Sequence, residues 1–209
     1  MNIMKNLEGL LANWTGPKIL MTIFPHPDDE TMASGGLLLA AKKYGWETVV
    51  VTLTHGEAGK IYLNAKGKTL KQIRREELKK AIKILQVNDL VLGNFPDGKL
   101  KKSKLSWIKW LKKQIEHYSP SLVISYDHSG LTGHPDHISL SAELKKILLP
   151  LKPKPTLLWA TLPPHLRKPP VVHPGIVHMV SKPTHILDLK WIWLKKWQAA
   201  KSHRSQKLG

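Results

Sequence analysis

Two short segments of this 209-residue chain concentrate side chains that can do chemistry together. Pro25-His26-Pro27-Asp28-Asp29-Glu30 places one imidazole beside three carboxylates, and Gly133-His134-Pro135-Asp136-His137 places two imidazoles around a fourth. An Asp-Asp-Glu run at a helix start can serve only to cap free N–H groups and complement the macrodipole. That reading leaves His26 unexplained, together with two adjacent carboxylates whose repulsion a cation would offset. His26 and Asp29, three apart across a tight turn, can converge on one metal while Asp28 points elsewhere. His134 and His137, at the same spacing, share one face of a helix start. His26, Asp29 and His137 together supply two imidazoles and a carboxylate, the three-ligand set of a catalytic zinc with an open position for water.

For residues about a hundred positions apart to meet, the elements around them must bring both segments to one edge. Apolar runs predict strands over 18–24, 48–54, 89–95 and 121–126, alternating with helices over 30–43, 70–85, 104–118 and 135–149. This alternation predicts an α/β, Rossmann-like fold: a mostly parallel sheet with helices on both faces. Ligands of such sheets bind outside the carboxyl ends of the strands, where both segments fall. From Pro150 onward prolines cluster, with strand-like pieces over 156–162 and 178–180, which reads as an irregular Pro-rich C-terminal cap. A Trp-rich helix over 189–203 ends the chain, and its Trp193 and Trp197, on one face, read as core-packing side chains rather than a sugar-stacking platform. The whole is read as a single domain over 1–209, with its core at about 18–149 and the cap and last helix at about 150–209.

Composition narrows the chemistry. The absence of cysteine excludes disulfides, thiolate metal sites and a Cys nucleophile. The net charge of +18 invites a nucleic-acid or anionic-membrane partner. Only four of the 33 basic residues are Arg, however (Arg74, Arg75, Arg167, Arg204), and the lysines fall in pairs along helical stretches, so we read the charge as solvated helix faces and expect no specific nucleic acid. Scarcer and less evenly spread, Asp28, Asp29, Glu30, Glu57, Asp97, Asp127 and Asp136 all follow predicted strands, which suggests a cation site at one end of the sheet. With neither a signal pattern nor a transmembrane run, the expected compartment is cytoplasmic.

With His26-Pro27-Asp28-Asp29-Glu30 after the first strand and His134-Pro135-Asp136-His137 after a later one, the chain resembles the LmbE-like / PIG-L family of zinc-dependent N-acetylglucosaminyl deacetylases. Further matches are the turn from Gly56 to Gly59, Ile73-Arg74-Arg75-Glu76-Glu77 opening a helix, Asp97-Gly98, and His203-Arg204-Ser205-Gln206 near the end. The resemblance implies one Zn2+ per chain on His26, Asp29 and His137, with Asp28 as general base and His134 as a second acid/base or oxyanion-stabilising residue, acting as an imidazolium. It further implies Asp136 orienting a histidine and Arg74 contacting substrate. The substrate so implied is a small-molecule N-acetyl amino-sugar conjugate, and the basic surface would suit an anionic one. Whether Asp28 alone or Asp28 with His134 handles the proton, whether the native metal is zinc or iron, and whether the chain forms a homo-oligomer stay open. The alternatives are another metal-dependent hydrolase, such as a phosphoesterase, and a basic protein that binds nucleic acid or anionic lipid and whose acidic loops only cap helices.

Overall fold

This computed structural model describes residues 4–162 and 180–206. A two-residue strand β1 (Lys5–Asn6) and a short helix α1 (Leu7–Ala12) precede the first long apolar strand, β2 (Ile19–Phe24). A π-helical turn (Glu30–Ser34) and α2 (Gly35–Lys43) then lead to β3 (Glu47–Thr54), α3 (Leu70–Ile84), β4 (Asp89–Phe95), α4 (Lys104–Tyr118) and β5 (Leu122–Tyr126). A single turn α5 (Gly130–Gly133), α6 (Pro135–Leu148), β6 (Thr156–Ala160), β7 (His185–Ile186) and α7 (Trp193–Ala200) complete the order. β4, β3, β2, β5 and β6 lie side by side in that sequence, all parallel, while β1 pairs with β7.

The sheet carries helices on both faces, as its apolar runs require. Along β2, Leu20 joins a core shared with α2, α3 and α7, where Leu38, Leu78, Ala81 and Ile192 pack; its neighbours Met21 and Ile23 join the opposite core, with Trp107 and Leu111 of α4 and Leu140 and Leu144 of α6. The pleat alternates these faces, so a strand buried on both sides must be apolar at nearly every position. Local signals set the helix boundaries. Thr69 and Gln72 form a reciprocal capping box at the start of α3, and Pro135 occupies the first turn of α6, where its missing N–H costs nothing.

Two expectations need correction. The helix expected over 30–43 is divided: its first turn is π-helical, because Glu30 is buried and tied to groups on both sides of it, and regular α-helix begins only at Gly35. Trp193 and Trp197 do not pack in the core; both remain about half exposed, since α7 buries Ala199 and the preceding turn buries Ile192 in their stead. Prolines 163–174 and the strand expected over 178–180, Val180 excepted, lie outside the described residues. Among the described residues no helix is long and apolar enough to cross a membrane.

Candidate metal centre

The chain builds outward from β2 through β3 to β4, then returns to place β5 on the other side of β2. The strand order therefore reverses between β2 and β5, and at that switch point the connections leave the sheet in opposite directions and open a crevice. The segment 25–30 follows β2 and the segment 133–137 follows β5, so the topology delivers both to the same crevice. β3 and β4 contribute the turns carrying Glu57 and Asp97 beside them.

His26, Asp29 and His137 converge there, all buried. His26 Nδ1 lies 3.1 Å from His137 Nε2, and the Asp29 carboxylate lies 3.4 Å from each of these nitrogens. Ligands about 2.0–2.2 Å from a tetrahedral zinc lie roughly 3.3–3.5 Å from one another, so the donor set fits such an ion. The ring orientations fit as well. His137 Nδ1 donates to the Gly130 carbonyl at 2.9 Å, which leaves Nε2 as the nitrogen free to bind. His26 turns Nε2 towards Asp97 Oδ1 (3.0 Å) and Asp136 Oδ2 (3.4 Å), leaving Nδ1 to face the cluster; carboxylates behind a ligating imidazole fix its tautomer and raise its basicity. Tyr126 donates its hydroxyl to Asp29 Oδ1 at 2.8 Å and stacks on His137.

Electrostatics point the same way. Burial disfavours a charged His26, yet hydrogen bonds to Asp136, Asp29 and Asp97 outweigh it and hold the ring well above the usual histidine range. Burial likewise opposes ionisation of Asp29, but His137 and His26 bring it well below the usual carboxylate range, and His26 brings Asp97 down to about 2. The surroundings favour positive charge where the donors meet.

Asp28 stands apart from that triangle. Its φ of 102° lies in the left-handed half of backbone space, where a residue with a Cβ is strained. Three contacts hold it: its N–H donates to Glu30 Oε2 (2.9 Å), Arg74 Nη2 donates to its Oδ2 (2.9 Å), and the same nitrogen reaches the Pro27 carbonyl. Burial and the charge of Asp29 push its carboxyl up to about 7, against the pull of Arg74. Arg74 is itself buried, and its Nη1 donates to the Gly56 carbonyl. Gly56 has a φ of 67°, and a Cβ there would sit 2.2 Å from Nη1, so only glycine lets the guanidinium lie against this turn. The arginine matched by resemblance to a substrate contact thus points inward, onto Asp28.

His134 is the exposed histidine of the group, with its ring 4.6 Å from that of His26 and 5.0 Å from that of His137. As N-cap of α6 it accepts the Asp136 N–H at Nδ1 (3.2 Å), so its proton sits on Nε2. Burial and the two neighbouring imidazoles lower its pKa, which favours the neutral ring over an imidazolium. Asp136 accepts N–H groups from Gly98 and Leu100 while it faces His26.

Several acids that stand out in the sequence only as following strands acquire specific partners in the fold. Asp97 lies behind His26 and accepts the Ala58 N–H, while Glu57 accepts the Asp97 N–H. Glu30 is fully buried, holding Thr31 Oγ1 (2.6 Å), the Asp28 N–H and His203 Nε2 (2.8 Å). Asp97 and Glu30 had already stood out as scarce acids after strands, a usable signal; nothing local tied His203, 173 positions away, to Glu30. Asp127 went the other way: it braces the loop after β5 through Ser129 and Ser181 instead of joining the cluster.

Known proteins place this architecture in context. The model of the PIG-L family, described as GlcNAc-PI de-N-acetylase, matches residues 21–148. A relative from Bacillus anthracis named "Probable N-acetyl-alpha-D-glucosaminyl L-malate deacetylase 2" is 34% identical over 143 residues, covering 66% of this chain and 63% of its own length. The 1D-myo-inositol 2-acetamido-2-deoxy-alpha-D-glucopyranoside deacetylase of Corynebacterium diphtheriae is 30% identical over 165 residues, covering 68% of this chain and 56% of its own. The chain thus spans about three fifths of the length of these two relatives. Among solved structures, N,N'-diacetylchitobiose deacetylase from Pyrococcus horikoshii shares the fold with a TM-score of 0.65 at 22% identity, over 90% of this chain and 70% of that one. The 4-carboxy-2-hydroxymuconate hydratase of Pseudomonas putida has the same TM-score and identity, over 91% and 80%. The family match takes in β2 to α6, the stretch that carries both halves of the crevice, and by it this chain belongs to the PIG-L family.

Proposed function

We propose that this chain is a zinc-dependent hydrolase that removes the N-acetyl group of an N-acetylglucosaminyl conjugate. The observation that carries the reading is the convergence of His26 Nδ1, His137 Nε2 and the Asp29 carboxylate within 3.1–3.4 Å of one another, beside a separately held Asp28. His26, Asp29 and His137 would hold the zinc, which when bound would supply Lewis acidity and lower the pKa of a water. Asp28 takes the proton as water attacks the acetyl carbonyl carbon, with Arg74 occupying one carboxylate oxygen and leaving the other to accept it. His134 donates Nε2–H to the oxygen on which negative charge develops. Because its Nδ1 is already engaged, it serves better as a neutral donor than as an imidazolium. This supports a scheme in which Asp28 also returns the proton to the departing amine. Asp136 orients His26, and Arg74, donating to Asp28 Oδ2, positions Asp28.

The choice of an amino-sugar amide rests on what the relatives are named for, since the fold also serves a hydratase. The test is metal analysis with turnover on N-acetylglucosaminyl conjugates. Asp28→Ala should retain zinc and lose turnover by about 10²–10⁴-fold, and Asp29→Ala should lose the metal. Zinc lost from the first variant and kept by the second would reverse the roles. Hydrolysis of phosphoesters in preference to amides would replace the reaction.

A further inference from the structure

Two features of the chain find no use in the metal centre: its charge of +18 and the tryptophans of its last helix. They meet on one surface. Trp193 and Trp197 are each about half exposed, and so is Met32, which follows the metal-centre turn. Trp193 and Trp197 lie with ring centroids 6.5 Å apart and, with Met32, Lys196, Lys201 and Arg204, line a groove of about 440 Å³. Lys201 Nζ sits 3.5 Å from the Trp197 ring centre. Between 180 and 206 the cations Lys182, Lys190, Lys195, Lys196, Lys201 and Arg204 face a single acid, Asp188.

The face is rigidly presented. Ile192 and Ala199 are buried, and Gly36 of α2 lets Leu189 approach so closely that a Cβ there would sit 2.4 Å from Leu189 Cδ2. Contiguous exposed apolar side chains on a docked element mark an interaction surface. A second copy would bring another chain of the same high positive charge against it. A nucleic acid would favour the arginine forks that are scarce here. Indoles bordered by lysines match the interfacial zone of a bilayer, where rings settle at headgroup level and ammonium groups meet anionic lipid.

We propose that the face formed by Trp193, Trp197 and Met32, with Lys196, Lys201 and Arg204 beside it, docks this protein peripherally onto anionic phospholipid membranes. The proposal stands independently of the deacetylase reading, and Met32 places the docked face next to the metal-centre turn.

The test is co-sedimentation of the full chain with vesicles of mixed phosphatidylcholine and phosphatidylglycerol, and with phosphatidylcholine alone. Binding should be about tenfold or more stronger to the mixed vesicles and weaken with salt. The double substitution Trp193→Ser with Trp197→Ser should abolish it, while Lys112→Ser with Lys113→Ser, on exposed lysines of α4, should leave most of it. Phosphatidylglycerol with brominated acyl chains should quench the emission of the unaltered protein, a readout that needs no variant to fold. Equal binding by wild type and the tryptophan variant, equal loss in both variants, or no quenching would overturn the proposal. A dimer that the tryptophan variant dissociates, or tryptophan-dependent binding of single-stranded RNA without vesicle binding, would reassign the face.

Discussion

Glu30 shows how a buried residue can hold the backbone of its neighbour, here Asp28, the proposed general base. Its buried carboxylate accepts the Asp28 N–H, the Thr31 hydroxyl and His203 Nε2–H, and the first of these helps hold Asp28 at its strained φ of 102°. Burial disfavours a charged His203, but the hydrogen bond to Glu30 keeps its pKa raised. His203→Ala would leave a buried carboxylate one donor short, at a cost of about 1–3 kcal/mol. We expect a lower Tm and a kcat reduced about tenfold or more with zinc content unchanged, because the general base is misplaced by a fraction of an ångström. His203→Gln, which can still donate to Glu30, should recover most of kcat. If both variants lost stability and neither lost kcat, His203 would be structural only.

At the scale of elements, two connections decide the geometry. The turn α5 sets the tautomer of His137 through the Gly130 carbonyl, at a φ of 62° and with a Cβ position only 2.7 Å from His137 Cβ. Gly130→Ala should therefore weaken zinc affinity about 10–100-fold, as loss of an orienting partner does, measurable by competition with a chelator. Unchanged affinity would show that the turn can relax without moving the ring. Beyond that turn, Glu143 of α6 bridges Lys104 of α4 and Lys146. The hydrogen bond from Lys104 leads the lowering of its pKa. A depressed folded-state pKa gives stability above the unfolded value, about 4.3, that is lost as pH falls through the folded one. Glu143→Gln should flatten the acid limb of a stability–pH curve below about pH 4.3 by about 1 kcal/mol or less, since Lys104 is 43% exposed. A steeper acid limb in the variant would reverse the assignment.

For the whole molecule, one sheet between two helical layers should unfold as one cooperative unit, and the metal should be coupled to it because its ligands come from loops after two different strands, β2 and β5. Zinc at a hundredfold over its Kd stabilises the native state by about 2.7 kcal/mol. For a chain of this length that is a Tm rise of roughly 5–11 °C, expected in calorimetry on adding zinc to chelated protein. Two separate transitions would contradict the one-domain reading, and an unmoved Tm would contradict the metal centre.

Much of this was legible before any coordinates. Strands buried on both faces must be apolar throughout, so β2, β3, β4 and β5 stand out as runs, and the helices between them leave a parallel sheet as the arrangement their order favours. His26, Asp29 and His137 were legible as candidate donors too, since scarce acids and paired histidines after strands suggest a cation site by residue type, and the fold brings the three together. What sequence spacing could not supply was anything fixed by distance in space. The pairing of His203 with Glu30, the inward aim of Arg74 under Gly56, the Asp97 and Asp136 carboxylates behind His26, and the Asp136 N–H that His134 Nδ1 accepts all depend on which atoms lie within about 3 Å. The tryptophans of α7 belong to the same class: helical periodicity says which residues share a face, but whether that face meets core or solvent depends on what packs opposite it. The sequence by itself determined the strand order's raw material and which side chains are candidate metal donors, because hydrophobic periodicity and ligand chemistry are local properties. Only the tertiary structure decided orientation and exposure, because these depend on neighbours the chain brings from far away.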